Sequence, residues 1–273
     1  MTVRAFNFLT HDGGRPLTCG VIADRRREPV NGAPLDLDGL ARLTAAIPGA
    51  CAYGKVVVID RHAISTFQAT AEGTAAPVFC GNSTAAAIGC MGGSGDLRTR
   101  VHGVAGHPYQ VHARIDGAVV AQTWLLPAAT PRERDWRGRR VVFLPALNDY
   151  ALVFEGLPEH ISPEAARQEL LGADPACKLA VVGAGPEPAV AFYNSNGRHG
   201  GAPQTGLATI ALAARTVPWL AELFAGGAVS YETADGVRLA ALPATSISPG
   251  GQVAVELPTV SVDIAPVAME KVA

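Results

Sequence analysis

Two stretches of this chain, residues 82–90 and 205–215, are apolar or small on nearly every side. Both read as helices, and a helix without a polar face has to be enclosed by other elements. The surrounding sequence offers the enclosure as short strands. Runs at 4–9, 19–23, 54–60, 99–106, 109–115, 118–126, 140–144, 151–155, 178–182, 189–193, 229–232, 237–241 and 252–257 are rich in β-formers and bounded by turn residues. Asp116-Gly117 and Asp235-Gly236, each set between two such runs, predict hairpins. Residues 37–46 read as an amphipathic helix capped by Asp36. Ser162-Pro163-Glu164 reads as cap, first residue and acidic first turn of a helix ending near Leu171. The charged stretch 132–140 reads as a solvated surface loop. Two enclosed helices, each needing its own strands, predict an α+β chain of two similarly built domains, an internal duplication with a crossover between His112 and Asp116.

The segment Phe79-Cys80-Gly81-Asn82-Ser83-Thr84 sets a thiol just ahead of the first enclosed helix. The first N–H groups of a helix lack intrahelical acceptors and carry about half a positive charge. A thiolate there is stabilised, so the pKa of a thiol at such a position can fall below the ~8.5 of a free cysteine. The same N–H groups can seat a carboxylate. Asn82, Ser83 and Thr84 suit helix capping and ligand contact alike. Thr205-Gly206 opens the second helix in the same way, after a Gly-rich turn that carries His199.

Other features exclude function classes. The formal net charge is −2 over 273 residues, which gives no electrostatic reason to expect nucleic acid. No apolar run approaches the ~18 residues that span a bilayer, and the N-terminus lacks a signal pattern, so a cytoplasmic chain is expected. The five cysteines, at 19, 51, 80, 90 and 177, are odd in number and show no CxxC spacing. That argues against a disulfide framework and against a zinc site. Gly183-Ala184-Gly185-Pro186 begins like a dinucleotide loop but lacks its third glycine and a following helix.

With these residues in hand, the chain resembles the diaminopimelate-epimerase-like superfamily, and within it the PrpF branch of methylaconitate isomerases and oxalomesaconate tautomerases. Cys80-Gly81-Asn82-Ser83 and its Ala-rich continuation match the first helix start of that superfamily. Tyr53-Gly54-Lys55-Val56-Val57-Val58 is similar to the Ser-Lys-apolar strand of the PrpF branch. The run from His199 through Ala202 to Thr205-Gly206 is similar to the opening of its second central helix. Asn148-Asp149-Tyr150 stands where its Asn-Pro turn would fall. The chain departs from the branch at Gly13-Gly14-Arg15-Pro16-Leu17-Thr18-Cys19-Gly20, where a lysine is absent.

The resemblance implies two pseudo-symmetric domains, each a strand-rich barrel around a central apolar helix. It places them at 1–114, with 259–273 returning to the first, and at 115–258. It implies a cofactor-independent isomerase that needs neither metal nor organic cofactor, acts on a small carboxylate and forms a homodimer. Cys80 and Lys55 would exchange the proton, in a 1,3-allylic shift or a cis–trans change, and either could be the base. Gly81, Asn82, Ser83, Thr205, Gly206, His199 and Asn148 would bind the substrate. Racemases of the superfamily place a second thiol just before the Thr-Gly of the second helix. Here that position is Pro203, which has no acid/base group. Two alternatives stay open: an amino-acid epimerase with a single catalytic cysteine, and a binding protein that kept the fold without the chemistry.

Overall fold

From Val119 to Leu126 the side chains of Val120, Gln122, Trp124 and Leu126 are buried, and the residues between them are more accessible. This period of two is what a strand with one face on a core requires. It recurs through the computed structural model, which describes residues 4–12, 15–27, 55–61, 63–69, 75–102, 108–145, 147–172, 174, 176–184, 188–195, 197–233 and 236–267. The helix expected at 37–46, its cap Asp36, the residues Tyr53 and Gly54, and Cys51 all lie outside the described residues.

The chain divides into two compact units. One comprises Met1–Trp124 with Pro258–Ala273, the other Leu125–Leu257. In the first, β1 (Arg4–Asp12) and β2 (Arg15–Asp24) pair antiparallel, and β2 pairs parallel with β3 (Lys55–Ile59). β4 (Ile64–Ala69) follows antiparallel to β3, and β5 (Ala75–Val78) pairs with β4 off the main path. After the first helix, α1 (Gly81–Met91), come β6 (Gly95–His102), β7 (Pro108–Asp116) and β8 (Val119–Leu126). The last strand, β18 (Val253–Val267), neighbours β8 and also pairs with β1, from His11↔Ser261 to Ala5↔Val267. The order β1-β2-β3-β4-β6-β7-β8-β18 therefore closes into an eight-stranded barrel.

Helix α1 packs against β1, β2, β3, β4 and β7, and every residue from Gly81 to Ile88 is buried. The enclosure expected of a helix without a polar face is thus present. Strand β7 runs unbroken through 112–116 and turns at Gly117 (φ 58°) into β8. That hairpin keeps β7 and most of β8 in one unit, and the division falls near the end of β8, at Trp124/Leu125, where the expected boundary was 114/115.

In the second unit, β9 (Arg132–Trp136), β10 (Arg139–Pro145), β11 (Asp149–Phe154), β12 (Lys178–Val182), β13 (Val190–Asn194) and β14 (Gly197–Arg198) form one sheet, in the order 14-13-12-11-10-9. The 132–140 stretch, expected to be a loop, is an edge hairpin. Its charged side chains are exposed, and Trp136 alone in β9 turns inward, donating from Nε1 to Glu169 at 2.8 Å. Strands β11 and β12 are parallel and joined through α2 (Pro163–Leu171). Ser162 caps α2 as expected, its Oγ accepting from the Ala165 N–H at 3.1 Å. Helix α3 (Gln204–Thr216) is buried from Gln204 to Ala213 and packs on β10, β11, the following α4 (Pro218–Leu223) and β17 (Ala244–Ile247). β15 (Ala228–Thr233) and β16 (Gly236–Ala241) form the expected second hairpin.

The far end of α1 is held by charge. Arg26 donates to the carbonyls of Cys90 and Met91 at 3.5 and 3.4 Å, where a helix C-terminus favours a cation. Asp24 orients that guanidinium at 2.9 and 3.1 Å and also pairs with Arg4. Burial alone would raise the Asp24 carboxyl, but the hydrogen bonds from Arg26 and Arg4 outweigh it and hold it at about 2. A carboxyl depressed in the fold stabilises above its unfolded value of ~3.9 and loses that contribution as pH falls toward the folded value. The urea midpoint of the wild-type chain is therefore expected to fall more steeply between about pH 4 and pH 2 than that of Asp24→Asn. Parallel curves would refute the assignment.

Candidate active site at the helix starts

Both central helices begin on an extended residue. Cys80 precedes α1 at φ −142°, ψ 112°, and Pro203 precedes α3 at φ −69°, ψ 135°. Neither side chain makes a capping hydrogen bond, so each helix opens with first-turn N–H groups that no cap side chain occupies. The Cys80 carbonyl accepts from both the backbone N–H and the hydroxyl of Thr84, each at 2.9 Å. Its thiol is half-buried.

The first barrel sets specific groups around this start. Asn82, buried, donates from Nδ2 to Thr18 Oγ1 of β2 at 3.1 Å. Its Oδ1 and the Ser83 hydroxyl are buried without a protein partner. Unpaired buried polar atoms are costly and are rare without a reason. Thr18 stands two residues before Gly20, whose Cα packs so closely on β3 that an added Cβ would lie 2.7 Å from the Lys55 carbonyl. The first residue of β3, Lys55, is thus about two strand residues, ~7 Å, along from the Asn82 anchor, at the barrel end where α1 begins. Its side chain is half-buried, and Nζ donates to Gln68 Oε1 directly across on β4.

In the second unit Thr205 is buried, with its Oγ1 3.3 Å from the Tyr150 hydroxyl. Gly206 is a packing glycine, since a Cβ there would come within 2.4 Å of the Phe192 ring. His199 folds onto its own turn, Nδ1 3.2 Å from the Gly201 backbone nitrogen. Asn148 is buried at the start of β11. Cys80, Lys55, Gly81, Asn82 and Ser83 therefore belong to the first unit, and Thr205, Gly206, His199 and Asn148 to the second.

The remaining described thiols have other settings. Burial first, then the Asp24 carboxylate, push Cys90 up to about 11 at the C-terminal end of α1. Burial, with Asp174 and Asp149, does the same for Cys177. Both are held as neutral thiols, and Cys19 is exposed on β2. Two cavities, of about 450 and 750 Å³, lie in the second unit. The smaller includes Tyr150, the partner of Thr205, and neither is lined by Cys80 or Lys55. Among the described residues no cluster of His, Cys, Asp and Glu could hold a metal ion, and no helix is long and apolar enough to cross a membrane.

Sequence reading missed four partners: Thr18, Gln68, Gln122 and Tyr150. Thr18 and Tyr150 lie inside stretches quoted from the sequence, but without a role of their own, and Gln122 is a polar residue on the inward face of an alternating strand.

No protein-family model matches the sequence, and no curated protein matches it. Solved structures match over the whole chain. A predicted epimerase from Pseudomonas aeruginosa has TM-score 0.58 at 14% identity, covering all of both chains. A hydroxyproline epimerase from Agrobacterium vitis, with bound trans-4-hydroxy-L-proline, has TM-score 0.53 at 14% identity, over 99% of this chain and 92% of that one. A PhzF-family phenazine biosynthesis protein from Bacillus anthracis has TM-score 0.54 at 10% identity, over 99% of each chain. These likenesses establish the fold, which is α+β and diaminopimelate-epimerase-like.

Proposed function

We propose that this chain is a cofactor-independent isomerase of PrpF-like type, which moves a proton along the carbon skeleton of a small carboxylic acid. The observation that carries this reading is the unequal pair of helix starts. Cys80 heads one enclosed helix, and Pro203, with no exchangeable proton, heads the other. Inversion between two opposed thiols is therefore unsupported, and a second acid/base group has to come from elsewhere. Lys55, at the barrel end where α1 begins, is that group.

In the proposed reaction one of the pair breaks a C–H bond beside the carboxylate. The electron pair delocalises into the carboxylate as a dienolate, which the first-turn N–H groups of α1 stabilise electrostatically. The other group then delivers a proton two carbons along, so the double bond shifts and no electrons are gained or lost. The substrate is a small acid whose carboxylate is held at the start of α1, with Asn82 and Ser83 as its contacts there.

A second reading is favoured by the structural likeness to a hydroxyproline epimerase: inversion of an amino acid by Cys80 and a non-thiol partner. Both readings are tested by incubating the protein in D₂O with a panel of small unsaturated, keto and amino acids. Deuterium uptake by an unsaturated acid, read by proton NMR, supports the first. Uptake at an amino-acid α-carbon with inversion supports the second. Absence of uptake across the panel overturns both, and leaves a binding protein.

A further inference from the structure

Behind the proposed site lies a buried group that the mechanism above does not use. Gln122, 2% exposed, sits on the inward face of β8 and donates from Nε2 to the carbonyl of Gly81 at 3.1 Å. Its Oε1 accepts from Trp124 Nε1 at 3.3 Å. The indole of Trp124, itself fully buried, meets the Phe79 ring edge-to-face at 4.5 Å between centroids and 79° between planes. Phe79 and Gly81 are the two neighbours of Cys80. One side-chain pair on a single strand therefore meets both neighbours of the thiol, the carbonyl of Gly81 and the ring of Phe79.

We infer that Gln122, oriented by Trp124, is a positioning residue that fixes the backbone of Cys80 against the first N–H groups of α1. An amide buried in a barrel core is costly unless both its ends are bonded. Here the two ends are assigned by their partners: an indole N–H can only donate, which leaves the amide nitrogen to donate to Gly81. The bond to Gly81 holds the first peptide of the helix in place. The ring of Trp124 prevents the preceding residue from swinging. Leucine or methionine would fill the same space in the core more cheaply, so packing alone does not account for glutamine at this position. The inference rests on the reading of Cys80 as the reactive thiol, but its test does not require a substrate.

The test is the pH profile of Cys80 alkylation by iodoacetamide, resolved by peptide mass spectrometry, with the exposed Cys19 as the internal reference. In Gln122→Met, which keeps the volume and removes the donor, the Cys80 profile is expected to move up toward that of a free thiol. Its alkylation rate at pH 7 should drop by about threefold to tenfold, following the lost thiolate fraction, while Cys19 is unchanged. Should Gln122→Met not fold, Trp124→Phe carries the test. It keeps a ring against Phe79 and removes the N–H that orients the amide, and a smaller shift in the same direction is expected. A folded variant whose Cys80 profile matches wild type overturns the inference, because a merely structural role would lower the melting temperature without moving that profile. If the profile shifts but wild-type protein catalyses no exchange, the clamp stands and the isomerase reading falls.

Discussion

Cys80→Ala is expected to slow solvent deuterium uptake into substrate by about 10²- to 10⁴-fold, the usual contribution of a positioned acid/base group, with the fold intact. The structural cost is expected to be small because the cysteine makes no capping hydrogen bond and its thiol is only half-buried. Cys80→Ser sharpens the point. Serine is among the preferred cap residues, and its hydroxyl can accept from a first-turn N–H, which is worth ~0.5–2 kcal/mol over alanine. The serine variant is therefore expected to unfold at higher urea than the alanine variant and to be equally slow in exchange. Stability and activity would then move independently, which a structural role for the thiol cannot produce. Lys55→Met is expected to slow exchange as well, since it removes the second group and its bond to Gln68. Exchange at the wild-type rate in Cys80→Ala would show that the thiol carries no proton.

The elements legible in the sequence were those whose composition settles their surroundings. Residues 82–90 and 205–215 had no polar face, and both proved to be enclosed helices. The strands marked by apolar alternation, such as β8, or by a continuous apolar run, such as β12, appeared within a residue or so of their expected ends. The elements that stayed hidden have their meaning supplied by partners. Ile-Ser-Thr-Phe-Gln-Ala carries too few apolar residues to read as a strand, yet β4 is fixed by β3 on one side and β5 on the other. Arg-Glu-Arg-Asp-Trp reads as a loop because its one buried residue, Trp136, comes last. The same limit applied at the site. Cys80-Gly81-Asn82 was visible as a motif, but Thr18, Gln68 and Gln122 are lone polar residues in strands. Only strand register and the position of α1 bring them to Asn82, Lys55 and Gly81.

Register also makes one glycine critical. Gly20→Ala is expected to destabilise the chain by about 1–3 kcal/mol or more, as overpacking of a tight core does. The added methyl would lie 2.6 Å from Phe8 Cε1 and 2.7 Å from the Lys55 carbonyl oxygen. Phe8 is 3% exposed and cannot swing away. The carbonyl belongs to β3, which is hydrogen-bonded to β4 on its far side and cannot retreat without breaking that ladder. Because the strand that must yield begins with Lys55, the same substitution is expected to slow deuterium uptake. Gly89→Ala is the control. The nearest atoms a Cβ there meets are of Ile264, Val262 and Val120 at 3.5–3.8 Å, ordinary contact, and replacing glycine by alanine in a helix gains up to ~1 kcal/mol. Urea unfolding midpoints should therefore shift down for Gly20→Ala and level or up for Gly89→Ala. A Gly20→Ala protein as stable as wild type would mean that β2 and β3 do not meet at this register, and the setting of Lys55 level with Gly20 would fall with it.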